Sequence, residues 1–416
     1  MRAARRRRAD GLEARGVKRH LVIALLFLLA CAPVVQAADP SPQAAAPPQQ
    51  SWRVAWMSRP AHQSVHRLRF SPDATQIAVA TLTPRFERAD GRVKTGDNAL
   101  FLLSAASGEI SRRLGTLGDD IVDVAFPSDE RLWAVYNKHG GQSAVAFSPR
   151  TGARETVVTL VAPVSSSSRS ERASEVGAFS LDGRRFAQHL GRVDGESLPP
   201  LHLAGQTVIY ETGAWRTIAT LPLETDIASP PVLFAHDDLL LADSGEARGE
   251  TDDSQRQSGT EPSTRLTVPF HALGEKARLV GRVDLWGPQL CRALSPDGRW
   301  LVAGVLNNSK GSLIAWEVDG GACSQPRSRA LDETPRLSRD RVYTALAFAR
   351  DGSVLAAGMS DGSLRLFDLT SGQMIREVQI TQAGARGAAI TALAFSVQGQ
   401  ALVAAAEDGR IALVRR

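Results

Sequence analysis

Seven times along the chain a short apolar run ends in a large side chain and a tight turn. The anchors are Phe70 (FSPDA), Phe126 (FPSDE), Phe179 (FSLDG), Phe234 (FAHDD), Leu294 (LSPDG), Phe348 (FARDG) and Phe395 (FSVQG), at intervals of 56, 53, 55, 60, 54 and 47 residues. Self-similarity on that scale signals a repeat architecture. Around Phe348 the unit reads in full: Val342–Phe348, an Asp-Gly turn, Val354–Met359, Ser360-Asp361-Gly362, Leu364–Leu369, Thr370-Ser371-Gly372, then Met374–Ile380. Asp-Gly supplies the positive φ of a tight hairpin, so the unit predicts four strands joined by three hairpins. No convincing helical pattern follows residue 38. A four-stranded unit cannot bury both faces alone, so seven of them stack radially into a ring. The chain stops one strand short of a full last unit and carries a spare strand, Trp52–Met57 (WRVAWM), before the first. That spare strand is expected to complete the last unit and remove the open edge.

Ser295-Pro296-Asp297-Gly298, Asp351-Gly352, Ser360-Asp361-Gly362 and Leu366-Phe367-Asp368 resemble the repeats of WD-repeat (WD40/YVTN-like) propellers. The resemblance is clear over 289–416 and degenerate over 51–288. Trp-Asp itself is absent, with Trp316-Glu317 and Phe367-Asp368 in its place, and so is the Gly-His pair that opens many such repeats. The resemblance implies an all-β, seven-bladed propeller of four-stranded blades over 51–416. It also implies that first-to-second and third-to-fourth strand turns share one face of the disk. The longer connections, expected at 84–97, 192–204, 244–263, 163–174 and 325–340, fall on the other. Long polar loops on a rigid scaffold are where recognition usually resides. Residues opening the innermost strands on that face would surround the channel mouth: His62, His66, Asp119, Asp120, Glu175, Asp340, Arg341, Tyr343 and Arg386. Their mixed signs suit a polar partner.

The net charge of +5 points first to a polyanion, but it is local. Residues 1–37 hold eight Lys/Arg against Asp10 and Glu13, which leaves 41 basic and 42 acidic residues in the remainder. Phosphate neutralisation needs clustered cations, so nucleic acid is excluded as a partner. The basic stretch precedes Leu21–Ala30 (LVIALLFLLA) and a small-x-small end, Val35-Gln36-Ala37, the pattern of a secretory signal over 1–37. Leu28-Leu29-Ala30-Cys31 equally resembles a lipoprotein box with Cys31 as lipid acceptor. An uncleaved anchor over 21–38 is a third reading, since ~18 apolar residues just span a bilayer. Each reading exports the body to the bacterial periplasm or envelope, with membrane contact only through this segment. Residues 38–50 form a Pro/Ala/Gln-rich linker.

Catalytic signatures fail one by one. Gly358-Met359-Ser360-Asp361-Gly362 fits G-x-S-x-G, but that motif needs a strand-to-helix turn and here lies between two strands. The eight His form no H-E-x-x-H, and the Asp-Gly turns lack the alternating ligands of a calcium loop. No metal or cofactor is expected. Cys291 and Cys323 fall on the innermost and outermost strands of blade five. Three strand spacings separate them by ~14 Å, beyond the ~7 Å reach of a disulfide. The expectation is a monomeric, non-catalytic scaffold for a protein or peptide. The alternative is a propeller enzyme (lactonase, lyase or quinoprotein-like dehydrogenase) whose site at the channel mouth would gather His62, His66, Asp120, Glu175 and Asp340.

Overall fold

The computed structural model describes residues 51–416, apart from stretches at 83–85, 88–92, 95–97, 119, 139–140, 162–176, 195–200, 224–232, 236–238, 242–246, 249–264, 274–276, 287–288, 308–309, 319–327, 334–340 and 382–387. All described residues belong to one compact unit, Ser51–Arg416. Every sheet in it is antiparallel, and seven of them are blades.

Blade one orders Ser64–Phe70, Gln76–Leu82, Ala99–Ser104 and Ile110–Thr116 from the centre outward. Blade two follows with Asp120–Ser128, Arg131–Lys138, Gly141–Phe147 and Arg154–Val161, and blade three with Gly177–Phe179, Arg185–Asp194, Leu201–Glu211 and Arg216–Leu223. Blade four begins with Leu233–Phe234, continues with Leu239–Leu241 and Ala247–Arg248 side by side along Arg265–Leu273, and ends with Ala277–Trp286. Blade five is Gln289–Leu294, Trp300–Asn307, Lys310–Glu317 and Ser328–Glu333; blade six is Tyr343–Phe348, Val354–Met359, Ser363–Asp368 and Met374–Gln379. Blade seven takes Ile390–Phe395, Ala401–Ala406 and Ile411–Arg415 from the end of the chain. Its fourth strand is Arg53–Ser58, paired with Ile411–Arg415. The spare N-terminal strand closes the ring as expected.

The cores show how a period of two builds such a ring. Within Ala401–Ala406, Leu402, Ala404 and Ala406 pack toward blade six, and Val403 and Ala405 toward blade one. Successive strand side chains point to opposite faces, so each blade is wetted on neither face and buries both against its neighbours. The result is seven buried clusters, one at each junction around the ring, the seventh lying between blades seven and one.

In blades one, three and five the turn after the anchor is longer than the two-residue hairpin the sequence suggests. In blade five the Ser295 N–H bonds the Trp300 carbonyl and the Gly298 N–H bonds back to the Ser295 carbonyl, with Gly298 at φ 71°. The Ser295 hydroxyl donates to Asp297 and accepts the Trp300 N–H at 2.8 Å, while Asp297 accepts the Arg299 N–H at 3.0 Å. Ser71–Asp73 and Ser180–Asp182 repeat the device. The recurrent Ser-x-Asp is therefore a turn that satisfies its own backbone.

Three expectations change. Both ends of 192–204 are strand, with 195–200 outside the described residues. The second and third strands of blade three extend their ladder until Asp194 faces Leu201, which keeps the backbone groups paired. Within 84–97, Phe86–Glu87 pairs with Val93–Lys94 as a small ribbon. Within 325–340, Ser328–Glu333 is the outermost strand of blade five, anchored where the Arg329 guanidinium covers the Trp300 ring at 4.8 Å. The segments 163–174 and 244–263 lie outside the described residues except for Ala247–Arg248.

Candidate functional site

Five of the residues expected around the channel mouth, His62, His66, Asp120, Arg341 and Tyr343, lie among the described residues. His62 is exposed ahead of blade one, and Asp120 is half-buried opposite Asn137 at the start of blade two. Asp119, Glu175, Asp340 and Arg386 lie outside the described residues, as do Cys31 and Cys323. Arg341 and Tyr343 meet in one network between blades five and six. Asp332 binds both the Tyr343 hydroxyl and Arg365. Arg365 also lies 3.4 Å from Glu377, and Arg341 bonds Asp361 at 2.6 Å and approaches Glu377 at 4.0 Å. Burial and the bond to Asp332 raise the Tyr343 phenol. Burial works against ionisation of Asp361, but hydrogen bonds from Ser363 and Arg341 hold its carboxyl below the usual range. A phenol held protonated and Arg365 bolt blade six to Asp332 of blade five, while Arg341 braces blade six internally.

His66 is likewise a fastener. In blades one, two, five, six and seven the innermost strand carries a bulge four residues before its anchor, at His66, Val122, Leu290, Thr344 and Thr391. Three of these side chains reach the next blade at the carbonyl just before its own bulge. His66 Nε2 meets Ile121 O, Thr344 Oγ1 donates to Ile390 O at 2.6 Å, and Thr391 Oγ1 donates to Val65 O. At the fifth blade the bulge residue is Leu290, and the next residue does the work: the Cys291 thiol donates to Tyr343 O at 3.3 Å. Cys291 is a free thiol, and burial pushes it up to about 12. It is a weak donor in a core, with none of the activation a nucleophile needs.

Asp123 does the same work across three blades. Its carboxylate accepts the Val124 N–H at 2.9 Å and the Phe179 N–H at 2.8 Å, and it faces Arg67 and Arg69 of blade one at 3.7 and 3.6 Å. Gly358-Met359-Ser360-Asp361-Gly362 is resolved by its contacts too. Ser360 Oγ accepts the Val342 N–H at 2.9 Å, Asp361 caps Ser363, and Gly362 turns at φ 79°. It is a turn between strands. Among the described residues no three His, Cys, Asp or Glu stand close enough to hold a metal.

Among the described residues, two clefts open on the tight-turn face. A cleft of about 780 Å³ runs between blades two and three, walled by Asp129, Glu130, Arg150, Arg184 and Glu211. Its floor includes Trp133, which meets Trp215 edge-on at 5.1 Å; Trp215 in turn contacts Phe186 and Tyr210. A second cleft of about 200 Å³ between blades one and two shares Asp129 and Arg150 and adds Asp73 and Arg112. The Asp73 N–H bonds Asp129 Oδ1 at 2.9 Å, and Arg112 bonds the Thr151 carbonyl, so the two turns that frame the passage are joined. Glu130, Arg150 and Arg184 are exposed. The anchor motif could have pointed here, because the residues that follow each anchor line this face.

No curated protein matches the chain. Residues 329–385 match the model of the family described as the Anaphase-promoting complex subunit 4 WD40 domain. That span runs from the outermost strand of blade five through all of blade six. The matched span is similar to a WD40 blade, and the same four-stranded antiparallel unit repeats around a ring closed by the N-terminal strand, the architecture of a seven-bladed β-propeller.

Proposed function

We propose that the chain is an exported, non-catalytic scaffold that holds a polar peptide segment of a protein partner along the cleft across blades one to three. WD40-type domains generally serve as protein-binding scaffolds. The observation that carries the location is the cleft itself: about 780 Å³, walled by exposed side chains of both signs over an aromatic floor. Interfaces combine such rigid aromatic bases with polar rims. Mixed charge sets register and excludes wrong partners more than it adds raw affinity. Export rests on the basic, apolar and small-x-small order of residues 1–37.

The test compares the natural chain with an Arg150→Glu/Arg184→Glu variant, using immobilised protein and envelope extract with mass-spectrometric identification. A defined protein bound by the natural chain and at least tenfold weaker on the variant is expected. Equal retention by both would remove the cleft from consideration. N-terminal analysis of the mature chain should find it starting at Ala38 or at a lipidated Cys31; an intact Met1 in the soluble fraction would overturn export.

A further inference from the structure

Three blade junctions on the tight-turn face are strapped, and the one between blades two and three is not. On their outermost strands, blade seven carries Trp56 opposite Leu413, blade one Arg112 opposite Leu102, and blade five Arg329 opposite Ala315. Each of these side chains lies half-buried across the turn between the third and fourth strands of the next blade. A Cβ on the glycine of that turn would stand 2.5 Å from the Trp56 ring at Gly108, 2.7 Å from Arg112 Cδ at Gly152 and 3.2 Å from Arg329 Nη1 at Gly372. Each strap also donates an N–H to a carbonyl of the turn it crosses. Trp56 bonds Ala105 and Arg112 bonds Thr151, both at 3.0 Å, and Arg329 bonds Leu369.

Blade two departs from this rule. Thr156, opposite Ala146, holds the place of Arg112 and Arg329, and it is exposed and too short to cross to blade three. The turn of blade three departs with it. Four residues, Thr212–Trp215, link Glu211 to Arg216, as four link Ser104 to Glu109, Ser148 to Ala153 and Asp368 to Gln373. The fourth is glycine in those three, at φ 74°, 77° and 73°, but here it is Trp215 at φ 52°, a strained backbone for a bulky residue. The Trp215 ring turns inward onto Trp133, Phe186 and Tyr210, so it does not follow the path of a strap. The cleft runs along that path instead, past Glu155 beside Thr156 and past Glu211 and Gly213 of the turn. With Arg112 in place, the cleft between blades one and two measures about 200 Å³; without a strap, the next one measures about 780 Å³.

The other junctions show what fits such a path: a long stem that ends in planar N–H donors. Arginine suits this one better than tryptophan, because exposed carboxylates stand at either side of it. Glu155 already meets Arg131 at 3.7 Å and Glu211 meets Arg216 at 3.1 Å. Each carboxylate has two oxygens, so it can accept from a second guanidinium, whose five N–H groups also reach a backbone carbonyl.

We propose that the cleft takes an arginine side chain of the partner, laid along the path that Arg112 and Arg329 follow in their own junctions. Its guanidinium would lie at the turn Thr212–Trp215, between Glu155 and Glu211. This rests on the reading of the cleft as a peptide site and adds the residue that the peptide must carry.

The test is isothermal titration of the full-length chain with a blocked pentapeptide, Ala-Asp-Arg-Asp-Ala, whose acids suit Arg150 and Arg184. It should saturate at one site per chain, with versions carrying lysine or alanine at the centre at least tenfold weaker. Thr156→Arg gives blade two a strap of its own and should weaken the arginine peptide at least tenfold without lowering the melting temperature. A lysine peptide of equal affinity, an unchanged affinity in Thr156→Arg, or no saturable binding at all would overturn the proposal. Retention from envelope extract separates it from the reading it rests on. A protein lost from the Arg150→Glu/Arg184→Glu variant but held in full by Thr156→Arg would leave the peptide cleft standing and remove the arginine.

Discussion

His66 holds in blade one the position that Thr344 and Thr391 hold in blades six and seven, yet it alone of the three can titrate. Burial lowers its pKa to about 4 from an ordinary 6.5, with Arg67 adding to the effect. The carbonyls of Ile121 and Ala80 and the Asp123 carboxylate oppose it without cancelling it. The folded pKa lies below the unfolded one, so the folded state binds fewer protons between the two values. The contribution of the neutral ring is complete above pH 6.5 and is lost as pH falls toward 4. Over that window the penalty reaches about 3 kcal/mol, since each tenfold loss of proton affinity on folding is worth about 1.36 kcal/mol. Denaturant titrations at pH 7.5 and 4.5 should show the natural chain losing part of its stability at the lower value. His66→Thr, which copies blades six and seven, should flatten that difference while keeping the clasp to Ile121. An unchanged pH dependence in the variant would remove His66 as its source.

The element that makes these clasps possible is the bulged innermost strand, and at two junctions its partner is a glycine in the blade before. A Cβ at Gly358 would stand 2.3 Å from Ile390 Cγ2 and 2.6 Å from Ile390 Cβ, and one at Gly304 would stand 2.7 Å from Tyr343 Cβ. Ile390 and Tyr343 are the residues before the bulges of blades seven and six. Glycine there lets one blade lie close on the next. Gly358→Ala should cost about 1–3 kcal/mol by overpacking, measured by denaturant midpoint. The added methyl meets a Cβ fixed to the backbone, so it has no easy escape. Gly213→Ala, where nothing lies within 4 Å, is the matched control and should change stability little. The same element marks the limit of sequence reading. Anchor phenylalanines, turn residues and the spare strand are legible because each repeats a local pattern. The bulges are not, since one extra residue in a strand of six or seven shifts the alternation too briefly to be told from a strand end. That is why the sequence does not show that His66 and Tyr343 fasten blades together. Ser328–Glu333 (SRALDE) reads as part of a connection because it has no β-branched residue and is half charged. Asp123 gives no local signal because its partners Arg67, Arg69 and Phe179 lie about fifty residues away on either side in sequence. The cleft walls are hidden for a related reason: a short turn carries no sign of the space it frames with the turn of the next blade.

At the scale of the whole molecule the ring depends on one junction that the chain makes with itself. Arg53–Ser58 is the outermost strand of a blade whose other three strands lie at the far end of the sequence. Its attachment is more than a ladder of hydrogen bonds. Trp52 is 2% exposed, packs in the core between blades six and seven and meets Phe395 edge-on at 6.0 Å. Trp56 donates its indole N–H to Ala105 O of blade one at 3.0 Å and lies over Gly108, where a Cβ would strike its ring at 2.5 Å. Removing this strand strips an aromatic from each side of blade seven and uncovers the edge of Ile411–Arg415. Burying a tryptophan contributes roughly 3–5 kcal/mol, as judged by truncation to alanine. Against a typical net stability of ~5–15 kcal/mol that is a large share. An uncovered strand edge also invites pairing with a second chain. A chain starting at Pro60 should therefore melt well below the natural protein and associate on size-exclusion chromatography. A synthetic peptide spanning residues 51–59 should restore both properties in trans, and the same peptide with Trp52 and Trp56 replaced by alanine should not. If the shortened chain keeps its melting temperature and its monomeric elution, ring closure by this strand is not what holds the molecule together.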